Sequence, residues 1–221
     1  MKRFALLLPV TLAVVGALAL KFVFAATPGE SDLAFPTLPA ESAELKVAYF
    51  AGGCFWCMQY AFDPVPGVRQ TFAGYSGGPE ERPTYSQVSS GRTGHAESVA
   101  VFYDPRETSY EKLLDAFWHN IDPTVTDRQF ADVGSQYRAA IFYRTDEEKR
   151  LAEASRNALA ATGKFDRPVV TAIVPAQPFY PAEVYHQEYY RKHPMEFHAY
   201  HEGSGRASYL RQKWGGGAAS H

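Results

Sequence analysis

Short strand-like runs and amphipathic helical runs alternate along this chain, and their order leaves few folds open. Residues 46–50 are apolar and strand-like, residues 57–62 are compatible with a helix, and Asp63-Pro64-Val65-Pro66-Gly67 stops that helix. Residues 68–75 and 95–103 alternate as strands do. In the second run Val99, Val101 and Tyr103 share a face with Glu97. Thr108-Ser109-Tyr110-Glu111 has capping-box spacing, and Tyr110, Leu113, Leu114, Phe117, Trp118 and Ile121 follow at helical intervals. Residues 137–143 read as a strand, 145–162 as a second capped helix ended by Gly163, and 169–174 as a short buried strand. Pro181 opens a last helix through His193, and Pro194 closes it. Residues 76–92 and 122–134 read as loops. The order β, α, β, β, α, β, α, β, α predicts a single α+β domain of two layers, a mixed or antiparallel sheet flanked by helices in a ferredoxin-like sandwich.

The domain is expected over residues 45–214, with a flexible tail at 215–221. Residues 26–44, with Pro28, Gly29, Ser31, Pro36 and Pro39 and no clear period, read as a linker. Residues 1–25 have the form of an export signal: Lys2 and Arg3, an apolar run at 4–20, and Val23-Phe24-Ala25 as a small-residue cleavage site. The alternative is an uncleaved anchor, since residues 4–26 approach the ~20 residues that span a bilayer, though Pro9 and Lys21 interrupt them. The expected location is therefore periplasmic or secreted, with membrane attachment through residues 4–26 if the segment is retained. At 46% hydrophobic and 14% aromatic over 221 residues, the chain can bury one ordinary core. Its 22 basic and 24 acidic residues are not blocked into runs, which argues against a nucleic-acid partner. Gly74, Gly77 and Gly78 fit no phosphate-binding loop. A monomer is expected.

Both cysteines lie in Gly52-Gly53-Cys54-Phe55-Trp56-Cys57, where strand gives way to helix. A cysteine at a helix start is favoured as thiolate, against an ordinary thiol pKa of about 8.5. Cysteines three apart on a helix can pair. As a structural staple the pair is weak: so short a loop contributes roughly 2 kcal/mol, against about 4.7 for a loop of 100 residues. Redox chemistry uses the spacing better, though export is compatible with either reading. A zinc site would need further ligands. His193, His198 and His201 are available near the C-terminus, but no second cysteine pair exists.

Gly-Gly-Cys-Phe-Trp-Cys closely resembles the signature of the A-type peptide methionine sulfoxide reductases, and the resemblance runs along most of residues 47–214. Further matches are Gly74-Tyr75-Ser76-Gly77-Gly78, Pro83-Thr84-Tyr85, Thr93-Gly94-His95-Ala96-Glu97, Asp132-Val133-Gly134-Ser135-Gln136-Tyr137-Arg138 and Tyr185-His186-Gln187-Glu188-Tyr189-Tyr190. The resemblance implies reduction of the S epimer of methionine sulfoxide, free or in oxidised proteins and peptides. Cys54 would be the nucleophile, Glu97 the acid, Tyr85 and Tyr137 hydroxyl donors to the sulfoxide oxygen, and Asp132 a supporting carboxylate. Phe55 and Trp56 would form the wall against the S-methyl group, their plainer alternative being ordinary core. A sulfoxide oxygen leaves only when protonated, so an acid beside the thiolate makes chemical sense. To hold its proton near neutrality Glu97 must be buried, at a cost of about 1.4 kcal/mol of stability for each unit of pKa. The product sulfenic acid condenses with a nearby thiol. Many family members carry resolving cysteines near the C-terminus, whereas here Cys57 is the only candidate. No bound cofactor or metal is implied, only an external dithiol donor such as thioredoxin or an exported equivalent. The competing readings are a general thiol-disulfide oxidoreductase and a non-catalytic exported interaction domain.

Overall fold

A computed structural model of the chain describes residues 34–215. The expected signal or anchor, the first part of the expected linker and residues 216–221 lie outside the described residues.

Strand β1 (Lys46–Gly52) leads into α1 (Phe55–Phe62) and β2 (Val68–Ser76). The short helix α2 (Tyr85–Ser89) precedes β3 (Ala96–Tyr103) and α3 (Tyr110–Trp118). A hairpin of β4 (Arg128–Gln129) and β5 (Asp132–Val133) follows, then β6 (Ala139–Tyr143), α4 (Asp146–Ala161) and β7 (Ala172–Pro175). Strand β8 (Tyr180–Pro181) and helices α5 (Tyr189–Lys192), α6 (Pro194–Gly203) and α7 (Arg206–Trp214) complete the described chain.

The sheet runs β7-β6-β1-β3-β2-β8 and is antiparallel except where β6 meets β7. Its inner strands β6-β1-β3-β2, with α1 and α3 as the crossovers, give the ferredoxin-like arrangement that the order of elements predicts. The α4 cap forms as its spacing requires, whereas the α3 cap falls one residue beyond the expected Thr108–Glu111 pair, on Ser109, and leaves the Thr108 hydroxyl buried without a partner among the described residues. Ser109 accepts from the Lys112 N–H at 3.4 Å to start α3, and Thr145 from the Glu148 N–H at 3.1 Å to start α4. Asp146, Glu147 and Glu148 add negative charge to the first turn of α4, where the helix dipole favours it. One sheet face buries Phe50, Val99 and Val101 against the helices, and the Phe50 ring stacks on Phe62 and Phe117 with centroids 5.0 and 5.3 Å away.

The other face carries Val47, Phe72, Ala100 and Phe102, covered by Leu38, Leu45 and Phe179 rather than by a helix. This corrects the linker expectation from residue 34 onward. Glu41 accepts from the Val47 N–H at 3.1 Å and pairs with Arg144 at 2.6 Å, while the Ala34 carbonyl accepts from the Val184 N–H at 2.8 Å. Apolar sheet surface is costly to leave in water, at about 25 cal/mol per Å², and this proline-bearing strap covers it.

Other departures have similar physical causes. The expected loop 76–92 contains α2, held by a capping box between Thr84 and Gln87, and the loop 122–134 contains the β4–β5 hairpin. The strand expected at 169–174 begins only at Ala172 and lies on the sheet edge, where Val170 is 43% and Val174 36% exposed. Pro181 does not open a helix. It pairs with Gly74 on the opposite edge, where a missing N–H is tolerated. Pro194 opens α6 instead of closing a helix, using the N-terminal position at which proline loses no bond.

Candidate active site

The diglycine before Cys54 is dictated by the backbone. Gly53 has φ of +81°, and a Cβ there would come within 2.5 Å of the Gln129 Cβ. That turn places Cys54 at the N-cap of α1, where its carbonyl accepts from the N–H groups of Cys57 at 3.1 Å and Met58 at 3.3 Å. Cys57 falls in the first turn, and both cysteines are free thiols, 6% and 2% exposed.

Burial pushes the Cys54 thiol well up, and the neighbouring Cys57 adds to the effect. Burial therefore works against the Cys54 thiolate that the helix start favours. The helix start is present, but its half-charge does not offset complete desolvation. Burial acts on Cys57 as well, yet the hydrogen bond from Cys54 and the Arg206 guanidinium outweigh it and the Cys57 pKa is lowered.

Glu97 is 2% exposed in the middle of the sheet. Burial first, then the charge of Cys54, hold its carboxyl well above the ordinary range. The Phe55 N–H donates to Glu97 Oε2 at 3.0 Å and pulls the other way without prevailing. Burial therefore favours the carboxylic acid form of this group. Tyr85 and Tyr137 are both raised by burial and then by Glu97, and the charge of Cys54 acts on each. They remain protonated donors. Asp132 accepts from the Tyr200 hydroxyl, and burial raises its pKa although that hydrogen bond and Arg206 oppose the rise.

Phe55 and Trp56 leave the helix in different directions. Phe55 is 1% exposed, belongs to the main core, and lies 4.9 Å from the His186 ring and 6.3 Å from that of Tyr85, centroid to centroid. It satisfies the core reading while remaining in contact with the site. Trp56 is half-buried and stacks on Tyr189 with centroids 3.8 Å apart. Its indole N–H donates to His186 Nδ1 at 3.2 Å.

The fold thus gathers Cys54, Cys57, Phe55, Trp56, Tyr85, Glu97, Asp132 and Tyr137 into one place. It also supplies partners that sequence reasoning did not assign. Glu183 accepts from the Tyr75 hydroxyl at 2.8 Å and from the Tyr85 N–H at 2.9 Å, tying the tyrosine to the sheet. Gln187 continues the sheet with its side chain, accepting from the Ala73 N–H and donating to the Ala73 carbonyl, each at 2.9 Å. His186 has its pKa lowered to about 3 by burial and stays neutral. Because Nδ1 accepts from Trp56, the ring proton sits on Nε2. The run 185–190 carried a signal, a cluster of aromatic and polar residues, but no roles. Tyr200 and Arg206 carried none, since they follow the proline taken as a terminator.

Among the described residues no group of three or more His, Cys, Asp or Glu side chains is placed to hold a metal ion. His201 packs instead against Tyr60 and Phe197, with ring centroids 5.6 and 5.5 Å away.

Residues 46–217 match the family model described as peptide methionine sulfoxide reductase. The chain is 52% identical over 174 residues to peptide methionine sulfoxide reductase MsrA of Bacillus subtilis strain 168, covering 79% of this chain and 98% of the relative. Among solved structures, reduced Mxr1 from Saccharomyces cerevisiae superposes with a TM-score of 0.67 at 29% identity, covering 74% of this chain and 93% of that one. Methionine sulfoxide reductase A of Corynebacterium diphtheriae superposes with a TM-score of 0.61 at 34% identity, covering 69% and 76%. With 52% identity over 174 residues that span 98% of a relative, and a family model matched over residues 46–217, this chain belongs to the peptide methionine sulfoxide reductase family.

Proposed function

We propose that this methionine sulfoxide reductase acts on the S epimer, free or within proteins, with Cys54 as nucleophile, Glu97 as acid and Cys57 as resolving thiol. The observation that carries the reading is the Glu97 carboxyl, buried and fixed by the Phe55 N–H at 3.0 Å, with Cys54 at the start of the same helix. Cys54 passes its proton to the hydrogen-bonded Cys57 and attacks the sulfoxide sulfur. Glu97 protonates the departing oxygen, with Tyr85 and Tyr137 donating to it. The oxygen passes from the substrate sulfur to Cys54 as the Cys54–substrate sulfur bond breaks, so that methionine leaves and Cys54 is left as a sulfenic acid. Cys57 then displaces that oxygen as water, giving a Cys54–Cys57 disulfide. A thioredoxin-like dithiol reduces the disulfide and returns the proton to Glu97. Asp132 supports the donors through Tyr200, and Phe55 with Trp56 receive the S-methyl group.

Anaerobic incubation with each sulfoxide epimer tests this. Wild type converts the S epimer, Cys54→Ser converts neither, and Cys57→Ser forms one equivalent of methionine and stalls. Activity retained by Cys54→Ser refutes the assignment of the nucleophile. We further propose that the enzyme is exported and repairs exported proteins, supported by the Lys2-Arg3 start and apolar run of residues 1–25. Mass spectrometry of the mature N-terminus in fractionated cells tests this, and an intact Met1 on cytosolic protein refutes it.

A further inference from the structure

Arg206 is 2% exposed, which places a permanent cation inside the protein. Among the described residues it forms no ion pair, whereas Arg69, Arg106, Arg144 and Arg211 pair with carboxylates nearer the surface. Its guanidinium donates to the Asn120 carbonyl at 2.5 Å and the Gly52 carbonyl at 3.0 Å, and lies 4.6 Å from the Phe130 ring centroid. Nη1 also reaches Met58 Sδ at 3.9 Å, and Nη2 would lie 2.9 Å from a Cβ on Gly53. Two neutral carbonyls and a ring are poor return for burying a full charge, and the anionic groups on which that charge acts are Asp132 and Cys57.

Cys57 is faced by charged and titratable groups from several elements. Cys54 faces it from the N-cap, Glu97 from β3, Asp132 from β5 and Arg206 from α7. The Tyr200 hydroxyl on α6 also feels the charge of Cys57, and Tyr60, Tyr189 and Tyr190 enclose the pair. Asp132 and Glu97 oppose a negative charge on Cys57, and of these side chains only Arg206 carries a positive one.

We propose that Arg206 is a positioning residue for the resolving step: α7 carries it into the core to hold Cys57 as the anion that attacks the Cys54 sulfenic acid. The inference rests on the proposed roles of Cys54 and Cys57. After oxygen transfer the Cys57 proton passes to the Glu97 carboxylate, and the Cys57 sulfur forms a bond to the Cys54 sulfur. The Cys54 S–O bond breaks and hydroxide leaves with the proton from Glu97 as water. Cys54 and Cys57 supply the two electrons that reduced the sulfoxide, so no further oxidant or reductant enters. Arg206, fixed on the Gly52 carbonyl, stays still through the step.

The test is single turnover of reduced enzyme with one equivalent of methionine sulfoxide and no donor, across pH 5.5–9.5. It is read as methionine formed and as the loss of two hydrogens on disulfide formation. Arg206→Met is expected still to yield about one equivalent of methionine, while disulfide formation at pH 7 slows about tenfold or more and recovers at high pH, as for an attacking thiol whose pKa has risen. Arg206→Lys, which keeps the charge, stays within a few-fold of wild type. A loss equal at every pH, or a profile identical to wild type, overturns the inference. If wild type itself forms no methionine, the proposed function fails instead. A measurement independent of Arg206 variants is thiolate absorbance in Cys54→Ser, where Cys57 is the remaining thiol. A midpoint below the ordinary value of about 8.5 supports the inference, and one at or above it overturns it.

Discussion

Glu97→Gln should make the protein more stable and less active at once. The amide keeps the shape of the carboxylic acid and can accept the Phe55 N–H that now reaches Glu97 Oε2 at 3.0 Å. It cannot ionise. Below the unfolded carboxyl pKa of about 4.3 both folded and unfolded wild type hold the proton, so the substitution changes stability little. As pH rises, the unfolded chain releases its proton while the buried group, held well above that range by desolvation, keeps it. The folded state then binds more protons than the unfolded state. Wild-type stability falls by about 1.4 kcal/mol for each pH unit until the folded pKa is reached, a slope the Gln variant lacks. Glu97→Ala separates this effect from packing, because it strands the Phe55 N–H at a cost of about 1–3 kcal/mol and opens a void. Loss of the acid should lower the first-turnover rate by roughly 10²–10⁴-fold in Glu97→Gln. Urea unfolding of reduced protein at pH 4.5, 6 and 7.5, beside methionine formation at each pH, measures both halves. A Gln variant less stable than wild type at pH 7.5, or a stability difference that does not grow with pH, would refute the protonated-acid account.

The tyrosine donors should act without titrating. Burial raises Tyr85 and Tyr137, so Tyr85→Phe and Tyr137→Phe should each lower turnover by up to about 10²–10³-fold while leaving the shape of the pH profile below pH 9 unchanged, as steady-state assays would show. His186→Ala should orphan the Trp56 indole, now 3.2 Å from Nδ1, and raise KM, with partial recovery in His186→Asn. Because the His186 pKa is lowered to about 3 by burial, Trp56 fluorescence should show no step from its protonation between pH 4 and 8. Gly53→Ala meets both a φ of +81° and a 2.5 Å approach to the Gln129 Cβ, and should cost about 2–5 kcal/mol in urea unfolding.

What was legible in the sequence follows from how local each signal is. The cap of α4 depends on residues three apart and closes on the expected Thr145 and Glu148, while that of α3 closes one residue past the expected Thr108, on Ser109 and Lys112. The burial of Glu97 was legible because β3 places it on the face of Val99 and Val101. The exposure of the β7 region was hidden, since an apolar run looks alike at the edge and centre of a sheet and only the topology assigns it. Pro181 and Pro194 misled for one reason: a proline reports a missing N–H, and an edge strand, a helix start and a helix end all tolerate that. The burial that opposes a Cys54 thiolate was not legible, because position at the helix start is local whereas the groups that desolvate the pair, and Arg206, come from distant segments.

The same separation explains how the site is assembled. Nucleophile, resolving thiol and both aromatics lie within a few residues at the β1–α1 junction, so their spacing survives any rearrangement elsewhere. What activates them arrives late in the chain. Glu183 fixes Tyr85, His186 fixes Trp56, Tyr200 fixes Asp132 and Arg206 supports the Gly52 carbonyl just before the cysteine. Segments that contribute single side chains to a finished core have no periodic face of their own to display. Ionisation in the N-terminal motif is therefore controlled from α6 and α7, and loosening those helices should alter the chemistry of Cys54 and Cys57 before it alters their positions.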